Sequence, residues 1–166
     1  MDVLARALAD LNVVARSEFM LKPEQEIAVK SLLDGKDVLA VLPTGYGKSL
    51  IYQMFVRAKD FEMNGKATIL VISPLVSIIK DQILDMKSIG YSAVDCREMT
   101  ASEIRKCNFK VLYATAEKVK EKTFREMLID PNSPLNQNIC AIVIDESHTV
   151  EYPGPRGFLL ILSFFI

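Results

Sequence analysis

Apolar positions along this chain switch repeatedly between helical and strand spacing. Residues 1–17 place Leu4, Leu8 and Leu11 on one side of an amphipathic helix. Pro23 suits the first turn of a second helix, which runs through Ile27, Val29 and Leu32 to a stop at Asp34-Gly35. The run 37–42 is short and apolar and ends in a turn, as a buried parallel-type strand does. A helix is expected from Lys48 to about Lys59, and a second strand over 67–72, closed by Ser73-Pro74. Leu75, Ile78, Ile79, Gln82, Ile83 and Met86 then recur at helical spacing up to Gly90. An extended piece at 92–94, a strand at 110–114, a helix over 116–128, a loop at 131–134 and a strand at 139–144 follow. Strand and helix alternating through short connections predict right-handed βαβ units, hence an α/β fold with a parallel sheet and helices on both faces. Such sheets bind ligands beyond the carboxyl ends of their strands.

Bulk properties narrow this only slightly. The 166 residues suit a single domain; half are apolar and a quarter charged, as in an ordinary globular protein. A formal net charge of −1 advertises no global affinity for nucleic acid, although a local basic groove stays compatible with it. Cys96, Cys107 and Cys140 match no zinc spacing and cannot all pair, which points to a reducing, intracellular setting without structural zinc. The N-terminus lacks the form of a signal peptide. The apolar run 158–166 is too short for a membrane helix, which needs about 20 residues; it is expected to be a terminal strand or an unpaired tail, not an anchor.

Two short runs carry the chemistry. VLPTGYGKS at 41–49 ends an apolar stretch with a Gly-rich turn closing on Lys48 and Ser49, and IVIDESH at 142–148 ends another on Asp145 and Glu146. A Gly-rich loop that leaves a strand and enters a helix turns backbone N–H groups toward phosphate oxygens, and the helix adds its positive end. Lys48 would reach the outer phosphates and the Ser49 hydroxyl would ligate magnesium. Asp145 would hold the metal through water and Glu146 would polarise an attacking water. The strict phosphate-loop pattern would begin with Gly where this chain has Leu42, so only its second half matches. The pair in this order nonetheless reads as the two halves of one Mg-nucleotide site.

The segments between them carry a resemblance. With Gln25 upstream, ISPLVSIIKDQ at 72–82, LYATAEK at 112–118 and DESH at 145–148, the chain resembles superfamily 2 helicases, and most of all the RecQ family of DNA helicases. The resemblance runs from about Leu21 to about Val150 and implies the first of that family's two RecA-like lobes. It divides the chain into a helical extension (1–20), the lobe (21–150) and a divergent apolar tail (151–166). It implies ATP and magnesium as cofactors, single-stranded or branched DNA as partner, 3′ to 5′ polarity, and a nuclear location in a eukaryote or a cytoplasmic one otherwise. Gln25 matches the glutamine that hydrogen-bonds adenine, and Lys22 the basic residue beside the base. Thr44, Gly45, Tyr46, Gly47, Lys48 and Ser49 match the phosphate loop, Tyr46 at a variable place with no role of its own. Tyr52 and Gln53 read as packing and solvated face. Ser73, Pro74, Leu75 and Gln82 match one strand-contacting motif, with a helix cap as the competing account of Ser73. Thr115 and Glu117 match the next, Ala116 standing where proline is common. His148 matches a residue that couples nucleotide to DNA, and Ser147 replaces the usual alanine.

After Val150 the match decays: no Ser-Ala-Thr motif follows, and nothing corresponds to the second lobe. In the family that lobe supplies arginines worth on the order of 10³–10⁵ in rate. The expectation is therefore a helicase by lineage whose isolated lobe binds nucleotide weakly and does not unwind alone, unless a second lobe acts in trans. An exposed sheet edge is also expected to favour self-association. The alternatives are a nucleotide-dependent nucleic-acid- or partner-binding module and the lobe of a superfamily 2 RNA helicase.

Overall fold

A computed structural model describes residues 1–43 and 45–145 and the backbone of 156–163. Thr44, Glu146 and His148, with the rest of 146–155 and 164–166, lie outside the described residues.

The elements run α1 (Val3–Ala15), α2 (Pro23–Leu33), β1 (Val38–Pro43), α3 (Lys48–Glu62), β2 (Thr68–Ile72), α4 (Val76–Ser88), β3 (Ala93–Asp95), a 3₁₀ turn (Cys96–Glu98), α5 (Ala101–Lys106), β4 (Val111–Ala114), α6 (Ala116–Lys120), α7 (Lys122–Ile129), α8 (Pro134–Asn138), β5 (Ile139–Asp145) and β6 (Arg156–Ser163). The sheet has six strands in the order β1-β6-β5-β2-β4-β3. β5, β2, β4 and β3 pair in parallel, as the alternating pattern requires.

Successive residues of these strands point to opposite faces, so each strand feeds two cores. Ile69, Val71, Val111, Tyr113, Ala141 and Val143 face α1–α4. Leu70, Leu112, Ala114 and Ile139 face the cluster of Ile104, Phe124, Met127 and Leu135 on α5, α7 and α8. The expected α/β sheet with helices on both faces is present.

α1 packs on α3 through Leu4, Ala7 and Leu11, all buried. Its hold is reinforced by Arg57, which is 5% exposed, pairs with Asp10, donates to the Ile89 carbonyl at 2.6 Å and lies 4.4 Å over the Tyr91 ring. Asn12 closes the turn after α1 by exchanging hydrogen bonds with the backbone of Phe19 at 2.6 and 3.2 Å.

Five features depart from the sequence pattern. The apolar C-terminal run does form a strand, but an antiparallel one wedged between β1 and β5, with Val41 opposite Phe158 and Val143 opposite Ile161. The helix expected over 116–128 is broken at Glu121, whose extended backbone (φ −61°, ψ 136°) ends α6 and starts α7. The loop at 131–134 leads straight into α8, with Pro134 at its first position. α5 is additional, nucleated by a capping box in which Thr100 and Glu103 satisfy each other's backbone N–H groups. In α2 the buried face is Gln25, Ala28, Val29 and Leu32, while Ile27 is 65% exposed.

Candidate functional site

The phosphate-loop segment leaves β1 at Pro43 and enters α3 at Lys48. Gly45 (φ 79°) and Gly47 (φ 92°) occupy the left-handed region, and Tyr46 N–H donates back to the Pro43 carbonyl at 3.1 Å. These two residues need to be glycine, because a Cβ disfavours that conformation. The Lys48 ammonium, only 7% exposed overall, turns inward toward the Leu42 and Pro43 carbonyls at 3.4 and 3.5 Å. Ser49 sits in the first turn of α3, three residues before Tyr52.

Gln25 is 2% exposed, and its amide is committed on three sides. Nε2 donates to the Gly47 carbonyl at 2.9 Å and to the Tyr46 carbonyl at 3.3 Å, while Oε1 accepts from Lys22 N–H at 2.8 Å. Lys22 Nζ donates to the Tyr46 carbonyl at 3.0 Å and lies 4.0 Å from the centre of the Tyr46 ring. The Tyr46 hydroxyl donates to the Glu24 carboxylate. That bond, first among the causes, holds Glu24 below the usual carboxylate range and raises the Tyr46 phenol. The residues expected around an adenine thus already converge on the loop. Tyr46, assigned no role from sequence, is the centre of their contacts. Its partners lie more than twenty residues upstream, and no local spacing could have announced them.

The second half of the site is the end of β5. Asp145 is 3% exposed, and Gln82 Nε2 from α4 donates to its Oδ2 at 3.1 Å. The Tyr52 and Tyr113 hydroxyls meet beneath, 3.3 Å apart and fully buried. Burial pushes the Tyr52 phenol up to about 12, with the Asp145 charge adding to the shift and the bonds to Tyr113 and Ser49 opposing it. Burial also raises Tyr113, again with a contribution from Asp145. Tyr52 is packing, as the sequence suggested.

The positions expected to contact a nucleic-acid strand separate. Ser73 is buried at 2%, its N–H bonded to the Ala114 carbonyl at 3.0 Å. It does not cap α4, whose N-cap is Leu75. Pro74 and Leu75 are exposed at the head of that helix. Thr115 caps α6, its hydroxyl accepting from Lys118 N–H at 3.4 Å, and Glu117 is exposed in the first turn. Gln82 turns instead to Asp145. Cys96, Cys107 and Cys140 are buried free thiols. Among the described residues no helix is long and apolar enough to cross a membrane, and no cluster of acidic, cysteine or histidine side chains could by itself hold a metal.

Comparison with known proteins supplies the family. The DEAD/DEAH box helicase family matches residues 22–159. The ATP-dependent DNA helicase RecQ of Haemophilus influenzae is 30% identical over 156 residues, covering 89% of this chain and 23% of its own length. The ATP-dependent DNA helicase Q1 of Rattus norvegicus is 31% identical over 149 residues, covering 81% of this chain and 23% of its own. Q5 of the same species is 33% identical over 161 residues, covering 90% and 16%. The chain thus spans less than a quarter of the length of these relatives. Among solved structures, the DUF1998 helicase MrfA bound to DNA superposes with a TM-score of 0.62 at 16% identity, over 80% of this chain and 20% of its own, which speaks to the fold. On the family match and the fold together, the chain belongs to the DEAD/DEAH box helicases, with relatives of the RecQ type.

Proposed function

We propose that this chain is the first motor lobe of a RecQ-type, 3′ to 5′ DNA helicase, binding Mg-ATP on the loop 44–49 and single-stranded DNA at the heads of α4 and α6. The observation that carries the reading is the loop itself, in which Gly45 and Gly47 at φ 79° and 92° deliver Lys48 and Ser49 to the head of α3, together with the buried Asp145 at the end of β5.

The residues fit a hydrated divalent cation. A serine hydroxyl and a buried carboxylate are hard oxygen donors, and the Gln82 Oε1 atom, on the amide that bonds Asp145, is buried with no hydrogen-bond partner among the described residues. Magnesium held by Ser49 and Asp145 would neutralise charge on the phosphate oxygens. Gly45 and Gly47 present backbone N–H groups to the phosphates, and Lys48 swings from the Leu42 and Pro43 carbonyls to reach them. Gln25, released in part from the loop carbonyls, offers its amide to the adenine edge, with Lys22 beside it. Glu146, by its place in the motif, polarises the attacking water, and His148 passes the state of the site to the strand-binding elements. Backbone N–H groups in the first turns of α4 and α6 hold sugar-phosphate without reading bases; Ser73, buried with its N–H on the Ala114 carbonyl, only sets the approach to α4. The second lobe of the longer relatives would supply the arginines, so the 166-residue polypeptide alone turns ATP over slowly and does not unwind.

Fluorescence anisotropy of a labelled single-stranded DNA oligonucleotide tests this, with and without a non-hydrolysable ATP analogue. The proposal expects nucleotide-sensitive binding to DNA and loss of that sensitivity in Lys48→Ala. Equal binding in all conditions, or a clear preference for RNA of the same sequence, would contradict it.

A further inference from the structure

We propose that Gln82 is the positioning residue of the metal-binding carboxylate: its Nε2 fixes Asp145, and its Oε1 accepts a hydrogen bond from a water on the bound cation. The inference rests on the nucleotide-site reading above and adds a residue to it.

Gln82 lies two turns into α4 and reaches across to the end of β5, where Nε2 donates to Asp145 Oδ2 at 3.1 Å. The amide orientation follows from chemistry, because the reversed one would set an amide oxygen against a carboxylate oxygen. Once Nε2 is pinned, the planar group also fixes Oε1. That oxygen is buried and has no hydrogen-bond partner among the described residues. A buried unpartnered acceptor is costly and calls for a donor at the site. A side chain is not needed: magnesium keeps most of its waters, and a water on a cation is a strong donor. A carboxylate with a neighbouring amide oxygen therefore forms an outer-shell pair for a hydrated cation, and residues in that position tune metal affinity.

A helix-packing role makes a different prediction, so two substitutions are needed. Gln82→Met keeps the length and helix preference of the side chain and removes both hydrogen bonds; Gln82→Ala also removes the volume. Binding of a fluorescent ADP analogue is titrated against Mg²⁺ for wild type and both variants, and again in EDTA. The expected result is a Mg²⁺ midpoint raised about tenfold in both variants, with affinity in EDTA unchanged. An unaltered midpoint in Gln82→Met overturns the proposal, even if Gln82→Ala shifts or fails to fold. Wild-type binding that ignores Mg²⁺ overturns it as well, while leaving the nucleotide loop standing. Absence of any nucleotide binding by the wild type would take down the underlying site reading together with this inference.

Discussion

Gln25 Nε2 donates to the Gly47 carbonyl at 2.9 Å, and a Cβ built on Gly47 would fall 2.7 Å from that same nitrogen. Gly47 also holds φ 92°, where L-residues are strained. Gly47→Ala therefore meets two obstacles: the left-handed backbone and the buried Gln25 amide. Nucleotide affinity is expected to fall at least tenfold, with a stability loss of about 1–2 kcal/mol, read by a fluorescent-nucleotide titration and thermal unfolding. Gly45 has open space around its Cβ position, so Gly45→Ala meets only the backbone penalty and is expected to be milder.

The grip of α2 on the loop predicts a second effect. Tyr46 is held by Lys22, Glu24 and Gln25 together. Tyr46→Ala removes the ring under Lys22 and the bond to Glu24, leaving only backbone contacts. Amide exchange across residues 44–48 is expected to quicken at least severalfold, while that of β2 and β4 stays unchanged, by hydrogen-exchange mass spectrometry. Unchanged exchange in the loop would count against the grip.

Arg57 predicts a stability effect remote from the site. Its buried guanidinium holds Asp10, the Ile89 carbonyl and the Tyr91 ring together. Arg57→Met is expected to destabilise the protein by about 2 kcal/mol, measured by denaturant unfolding, with release of α1 as the earliest sign.

The pH dependence follows from groups of opposite sign. For Asp95, burial by itself raises the carboxyl, but the bonds from Arg97 outweigh it and hold it below its ordinary value. Glu103 and Asp130 are lowered chiefly by backbone hydrogen bonds. A depressed carboxyl stabilises the fold above its unfolded value and loses that contribution as pH falls through the folded one, so acid unfolding is expected below about pH 4. Burial raises Cys96 to about 11 and Cys140 to about 12. It raises Tyr52 as well. Those groups favour the folded state below their unfolded values and lose the contribution above them, so stability is expected to decline from about pH 9 upward. Unfolding midpoints across pH 3–11 check both flanks; a plateau through pH 10.5 would contradict the alkaline one.

Leu39 and Val41 of β1 are 63% and 55% exposed on a strand at the edge of the sheet. An exposed apolar edge invites self-association. Leu39→Lys with Val41→Thr is expected to shift the polypeptide toward monomer in light scattering at high concentration, without lowering its unfolding midpoint.

Much of this was legible before any coordinates. β2, β4 and β5 are continuous apolar runs that stop at turns, and such runs have few other homes than a two-faced sheet; β1 carries the same signal but is no buried parallel strand, because it lies at the sheet edge, antiparallel to β6, with Leu39 and Val41 exposed. Residues 158–163 carried the same signal, but composition cannot state a strand's direction or neighbours, and β6 lies antiparallel between β1 and β5. The Thr100–Glu103 capping box stands in the sequence ahead of α5, but six residues make too short a periodic pattern to predict a helix. The break at Glu121 has no Gly or Pro to mark it. At the site, Lys48, Ser49 and Asp145 were marked by their motifs, whereas the turn of Gln82 toward Asp145 depends on how α4 packs on the sheet at β3 and β4. Its only sequence trace is a glutamine among Ile78, Ile79, Ile83 and Met86.

The central claim, one Mg-nucleotide site built from the phosphate loop and the end of β5, is tested most directly by titrating a fluorescent ATP analogue with Mg²⁺ into the wild-type polypeptide, Lys48→Ala and Asp145→Asn. The account predicts saturable binding to the wild type that ATP displaces, strong weakening by Lys48→Ala, and loss of the Mg²⁺ dependence in Asp145→Asn. Binding that neither substitution alters, or a wild type that binds nothing at millimolar nucleotide, would contradict it.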